Sequence, residues 1–300
     1  IDNLYQRKAN SSTDGTRVGQ GMVVSGSDIL IQNNALTDGD TMIAALWGPG
    51  AGVYHDLTIT GNTIGRANHG IGIGSYQAGN SFFDNVTISN NRINDLDVWN
   101  NNSALHLDGI IIYDESPDYS GGISNLKIFN NYIGPNIGTV NTAAVFIIAY
   151  TASEAPSTQI YNNLFTSAPA YSWTNGFIAA SGKIYNNTFI GNSSGVNSGS
   201  GQAANKSEIR NNLFYNTSAA GCSTLTTHDI ANVTSDYNVY ACAGQLQNVI
   251  VNSSGAYEFY YGLPAWQAAT GYDAHTRLIT DPKFVDAANG NYRLLSSSPA

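Results

Sequence analysis

Ile160-Tyr161-Asn162-Asn163-Leu164-Phe165 is one statement of a phrase that this chain keeps repeating. Versions of it stand at Ile31–Leu36, Ile59–Ile64, Ile88–Ile93 and Ile128–Ile133, and again at Ile184–Phe189 and Ile209–Phe214. A worn copy follows at Ser235–Tyr240. The period, about 24 to 40 residues, lies in the range of proteins built from stacked repeats. Within each copy apolar and polar residues alternate for a few positions, the two-residue rhythm of a half-buried strand. The asparagine falls where the chain must turn, and Asn tolerates left-handed backbone angles better than most residues. Stacked copies bring each Asn over the last at about 4.8 Å, so side-chain amides can bond along the stack. These features predict an all-β fold, a right-handed parallel β-helix forming a solenoid of about 8–10 coils. A β-sandwich with Asn-rich turns would instead alternate its strand directions and would not repeat one phrase at coil-length spacing.

On these phrases the chain resembles the right-handed parallel β-helix repeat proteins of the pectate-lyase-like superfamily. The resemblance runs over about residues 10 to 300 and implies a fold rather than an activity.

A solenoid grows by adding coils, so 300 residues are read as a single domain, 1–300. Residues 1–20 are expected to cap the first coil, and 241–300 to close the last ones irregularly. The closing run Asp281-Pro-Lys-Phe-Val-Asp286, Asn291-Tyr-Arg-Leu-Leu295 and Ser298-Pro-Ala300 is similar to the final coil of many bacterial β-helix proteins. Charged residues make up only 11% of the chain, the net charge is −9, and the 12 basic residues are spread thinly along the sequence. The sequence has no basic stripe, which argues against nucleic acid as a partner. A polyanionic polysaccharide is an awkward ligand unless a local Arg/Lys group or a bound cation intervenes. No run of 18 apolar residues is present, so no membrane insertion is expected. The chain opens at Ile1 without a signal peptide, as a processed product would. Cys222 and Cys242 lie about one coil apart, within bonding reach if neighbouring coils stack, and a disulfide would fit a secreted or cell-surface protein. A monomer is expected.

Each coil carries a second apolar run after the Asn phrase: Thr41–Trp47, Gly70–Tyr76, Gly109–Asp114, Ala143–Tyr150 and Gly176–Ser181. Gly109-Ile-Ile-Ile112 and Val145-Phe-Ile-Ile148 are apolar at consecutive positions, so part of this sheet should be covered on its outer face as well. The largest inserts, Asn94–Leu107 and Glu115–Ser124, flank one strand, and long loops on one side of a solenoid mark a binding face.

Immediately before the second strands stand Asp40, His69 and Asp108, with Asp14 one coil earlier and Asp38 and His106 two residues upstream. Equivalent positions in a stack are about 4.8 Å apart and alternate residues of a strand about 6.6 Å. Asp14, Asp38, Asp40, His69, His106 and Asp108 are therefore expected in one patch at a sheet edge. Crowded carboxyls cannot all ionise freely, so at least one should have a raised pKa. A raised carboxyl beside an ionised one is what glycoside hydrolysis needs. Asp-Gly and His-Gly steps also suit turns for purely structural reasons.

A narrower resemblance starts from these residues. Ser12-Thr-Asp-Gly15, Asp38-Gly-Asp-Thr-Met-Ile43 and Asn68-His-Gly-Ile-Gly-Ile-Gly-Ser75 look like the motif order of polygalacturonase-type glycoside hydrolases. The resemblance implies that Asp14 is the first acid, Asp38 or Asp40 the paired acid, and His69 the motif histidine. Gly39 splits the pair, and the loop Gly48–Tyr54 lengthens the spacing. Where that family carries Arg-Ile-Lys, this chain reads Gly109-Ile-Ile-Ile-Tyr113, which favours a neutral sugar over galacturonate.

Trp47, Tyr76, Tyr113 and Tyr150 follow the same strands and would form an aromatic rail for sugar rings if they share a face; coil-to-coil stacking is the alternative. Asp114, Glu115 and Asp118 form an acidic knot that could hold calcium through oxygen ligands, though no cofactor is required. The leading expectation is an extracellular carbohydrate-active protein, a polysaccharide-cleaving glycoside hydrolase. Its rivals are a polysaccharide lyase using His69, His106 or Tyr113 as base, and a non-catalytic glycan-binding or adhesion protein.

Overall fold

The computed structural model describes residues 20–45, 52–75, 81–96, 107–114, 122–137, 143–147, 157–166, 177–191, 195–198, 206–216, 222–228, 230–252 and 254–300. It is all-β with large parallel sheets and a single α-helix, Leu263–Thr270, among the described residues. The strand that leads into each Asn phrase joins a nine-stranded sheet. This sheet runs from Ile29–Gln32 and Gly52–Thr60 through Ser81–Ser89, Lys127–Phe129, Gln159–Tyr161, Gly182–Tyr185 and Ser207–Arg210 to Val233–Asp236, with Gly122–Ser124 as a ninth strand paired to the start of Ser81–Ser89. Strands after the phrase and the second strands make two further ladders. Ala35–Ala45 and Thr63–Ser75 run through both, so the two ladders merge into one 17-stranded sheet. Pairing is parallel throughout the described residues except for Leu246–Val251 with Tyr257–Tyr261 and Phe284–Asp286 with Asn291–Leu294. That direction excludes the antiparallel sandwich.

Register follows the repeated phrase. Ile31 pairs with Ile59, Ile59 with Ile88, Ile128 with Ile160, and Ile160 with Ile184. These isoleucines are buried, as are Ile64, Ile93, Ile133, Phe165, Phe189 and Phe214 on the other side of the phrase. Phe165, Phe189 and Phe214 stack at 5.1 and 4.7 Å between ring centres. Offset stacking adds about 0.5–1.5 kcal/mol per pair to their burial.

The two asparagines of the phrase divide the labour. The first takes the left-handed bend: Asn33, Asn90, Asn130, Asn162, Asn186 and Asn211 have φ between 53° and 57°, with Gly61 and Tyr237 in the same slot. The second forms a continuous amide ladder through Asn34, Asn62, Asn91, Asn131, Asn163, Asn187, Asn212 and Asn238. Asn163 shows the pattern. Its Oδ1 accepts from both the backbone N–H and the side-chain amide of Asn131, at 2.9 and 3.0 Å. Its own amide donates to Asn187 Oδ1 and to the carbonyl of Ile128, at 3.0 and 2.9 Å. A buried bend would otherwise leave these groups without partners, at roughly 1–3 kcal/mol each.

The outer face of the second-strand ladder is covered too: Phe146, Ala179, Asn197, Thr226 and Val249 are all buried, as the consecutive apolar runs require. Cys222 and Cys242 are joined in a disulfide, with Cα atoms 6.0 Å apart.

Candidate functional site

Ile43 pairs with Ile71, and Ile71 with Ile110, so the strands meet in one fixed alignment. In that alignment Thr41, not Asp40, lies beside His69. His69 in turn neighbours Asp108, and Asp108 neighbours Ala143, as the ladder bonds from Gly70 N–H to Asp108 O and from Gly109 N–H to Ala143 O require. Asp40 belongs to the adjacent row, where the Asn68 amide donates to its Oδ1 at 2.7 Å. The single row expected from counting back along the apolar runs is thus two rows, one residue out of step. The alignment pairs Thr41 with His69 and leaves Met42 level with Gly70, so Asp40 is two residues, not one, before the level of the glycine. In a strand a one-residue slip exchanges the two faces.

Asp38 corrects a second expectation. Its φ is +67°, so it occupies a bend, and the alternation that would set Asp38 and Asp40 on one face of a straight strand does not hold. Arg66 and Asp95 sit at the same bend in the next two repeats, with φ of 50° and 52°. The Arg66 guanidinium pairs with Asp38 Oδ2, and the Thr37 hydroxyl donates to the same oxygen at 2.7 Å. The hydrogen bond to Asp38, helped by its charge, raises the Arg66 pKa above the ordinary value. Asp95 Oδ1 accepts from the Asn136 amide at 2.8 Å. Arg66 was not singled out in the sequence. Its signal was its place one repeat beyond Asp38, which only the register reveals.

His69 and Asp108 are buried, Asp108 completely. His69 Nδ1 accepts the Asp108 backbone N–H at 3.3 Å, which assigns the proton of the neutral ring to Nε2. Asp108 Oδ1 accepts the Ala143 N–H at 2.9 Å, while Oδ2 is 3.8 Å from His69 Nδ1 and makes no hydrogen bond. Burial pushes the Asp108 carboxyl well above the usual range, against the opposing pull of the Ala143 N–H. A raised carboxyl does exist here, as crowding predicted, but desolvation raises it. The Asp108 side chain is fully buried, so any role in chemistry is one of positioning. Gly70 and Gly109, which follow His69 and Asp108, are required for another reason than turning. A Cβ on Gly70 would collide with the carbonyl of Gly109, and one on Gly109 would lie 2.6 Å from the carbonyl of Ala144.

Among the other residues marked in the sequence, Tyr113 is buried and packs over Gly74 of the neighbouring strand, the coil-to-coil alternative to a sugar rail. Asp14, Trp47, Tyr76, His106, Glu115, Asp118, Tyr150 and the side chain of Asp114 lie outside the described residues. Asp28, His55 and Asp56 form the sole grouping of three potential metal-ligating side chains found among the described residues, on an exposed bend. His55 Nδ1 lies 2.9 Å from Asp56 Oδ2, and that bond raises the His55 pKa.

An aromatic ladder does exist, on the nine-stranded sheet. Phe129, Tyr161 and Tyr185 stack at 5.0 Å per step, with planes 8° and 2° apart. They are the second letters of three successive phrases, so the signal was present in the sequence.

No protein-family model matches this chain, and neither a curated protein nor a solved structure matches it. No helix among the described residues is long and apolar enough to cross a membrane.

Proposed function

We propose that the chain is an extracellular carbohydrate-active protein of the right-handed parallel β-helix type, cleaving a neutral polysaccharide by acid/base hydrolysis. In this reading Asp40 is the proton donor and Asp38 the ionised partner. The observation that carries it is the placement of Asp38 and Asp40, both part-exposed, on either side of Gly39 at the bend within Ala35–Ala45 where the two ladders of the large sheet join. An opposite charge in contact favours the ionised carboxylate, which suits Asp38 beside Arg66 to act as base or nucleophile. The buried His69–Asp108 pair lies in the adjoining row. Three parallel ladders with one strand each per repeat are what coiling in a single sense would produce. The disulfide fits an oxidising, extracellular setting.

The test is release of reducing sugar from a panel of neutral and acidic polysaccharides. Asp40→Asn and Asp38→Asn should each lower the rate by about 10²–10⁴-fold with an unchanged melting curve. Products absorbing near ~235 nm would identify a lyase that forms an unsaturated uronate instead. A non-catalytic glycan-binding protein is the second reading, favoured because Arg66 and Asn68 already engage both carboxylates. Retention on glycan columns without cleavage would select it.

A further inference from the structure

The outer face of the nine-stranded sheet gathers a charge that the sequence disperses. Lys127, Gln159, Lys183 and Glu208 occupy one register row, and Phe129, Tyr161, Tyr185 and Arg210 the row two residues on. Lys206 lies exposed where the strand Ser207–Arg210 begins. Four of the chain's 12 basic residues thus meet on one face of a molecule whose net charge is −9. The acids facing them are Glu208, bound to Arg210 Nε at 2.8 Å, and Asp236, bound to His275 at 2.8 Å. Lys127 and Lys183 form no ion pair among the described residues. Between the strands lies a shallow cavity of about 350 Å³ lined by Gln159, Lys183, Tyr185, Glu208, Arg210 and Asn211. Tyr185 ends the aromatic ladder. One face of its ring lies on Tyr161, its hydroxyl donates to Gln159 Oε1 at 2.9 Å, and no other ring stacks on it among the described residues.

We propose that this face is a second site, distinct from the Asp38/Asp40 bend, which binds an anionic saccharide. The carboxylate or sulfate ester is held at Lys183, with Arg210 lining the same cavity and Lys127 two strands along the row, and the sugar ring lies over the cavity edge of Tyr185 beside Arg210. Charge complementarity selects the anion. The mixture of amide, carboxylate and phenol around the cavity supplies the donors and acceptors that sugar hydroxyls need. Aligned strands supply the cationic cluster whose absence from the sequence made a polyanion an awkward ligand.

The experiment is calorimetric titration of the intact chain. The probes are a galacturonic acid oligomer, a sulfated galactose oligomer, the uncharged galactose oligomer and inorganic sulfate. At least one acidic oligomer should bind, with the uncharged one weaker by about tenfold or more, and the acidic probe that binds more tightly identifies the anion. Lys183→Gln, at an exposed position, should weaken that binding by about tenfold, and Tyr185→Ala should weaken it independently of salt. Asp40→Asn should leave it unchanged, and Lys183→Gln should leave cleavage of a neutral glycan unchanged, so each reading can fail alone. Absence of binding by both acidic oligomers, or indifference to Lys183→Gln, overturns the proposal. Inorganic sulfate binding as tightly as the oligomers overturns the saccharide.

Discussion

Asn162 and Asn163 are neighbours of the same residue type with unlike burdens. Asn162 has φ of +55° and is exposed; Asn163 is buried in the amide ladder. The repeats themselves display the difference, since the first slot admits Gly61 and Tyr237 while the second is Asn in all eight copies. Asn162→Gly should therefore change stability by less than about 0.5 kcal/mol, because Gly adopts the left-handed bend freely and offsets its entropic penalty there. Asn163→Gly removes the acceptor for two Asn131 donors and the donor for the Ile128 carbonyl, and should cost about 3 kcal/mol or more. Urea unfolding of the two variants measures this contrast, and equal losses would refute the division of labour. Asp108 makes a second test at this scale. Its folded pKa lies above its unfolded value, so the folded chain holds a proton that the unfolded chain releases once the pH exceeds about 4. That proton's contribution is complete below this pH and is lost as pH rises, by about 1.4 kcal/mol per unit until the folded carboxyl also ionises. Asp108→Asn can keep the Ala143 hydrogen bond and removes the titration. Its stability relative to the parent should rise between pH 4 and pH 7, read from paired thermal melts.

At the level of strands, the phrase, its alternation and its period were enough to anticipate parallel ladders, because each copy repeats the same burial pattern. The spacing of Cys222 and Cys242 put them within reach of each other only if neighbouring repeats stack, and it is the stacked strands that bring them together. The register of the candidate site was not legible. The bend at Asp38 has no unique residue signature, its counterparts being Arg66 and Asp95, so counting from the apolar run placed Asp40 one residue out of step. The cation cluster was invisible for a related reason: Lys127, Lys183 and Arg210 are far apart until the strands align. Just after His69 and Asp108 the backbones approach too closely for any side chain, so Gly109→Ala should destabilise by about 2–4 kcal/mol through displacement of the neighbouring strand. Chemical denaturation measures the loss. A neutral effect would show that the strand spacing is adjustable, and with it the level of the acids.

Over the whole molecule, each described strand of the parallel ladders bonds mainly to its predecessor and successor, so the stack needs an end that satisfies the last repeat. Asp273 provides it. Fully buried, its Oδ1 accepts from Ser235 Oγ at 2.8 Å, Thr276 Oγ1 at 2.7 Å and the Asn238 amide at 3.2 Å. Its Oδ2 accepts from the Tyr240 hydroxyl at 2.7 Å and Trp266 Nε1 at 2.9 Å. Thr276 Oγ1 also accepts the Asn238 backbone N–H at 3.0 Å, in the place a further Asn would occupy, so the amide ladder ends here. Trp266 brings the only described α-helix into the same network and covers the last apolar layer. Asp273→Ala would strip acceptors from five donors and should lower stability by about 3–5 kcal/mol, the outcome for several buried donors left unpaired at once. The location of the loss is the more discriminating readout. If contacts are predominantly between neighbours, hydrogen exchange in the variant should accelerate first in Val233–Asp236, Val239–Cys242 and the strands after them, while Gln159–Tyr161 and Gly182–Tyr185 keep their protection. Uniform acceleration from Ile29–Gln32 to Asn291–Leu294 would mean that the chain opens as one cooperative body, and a stack closed separately at its end would not describe it.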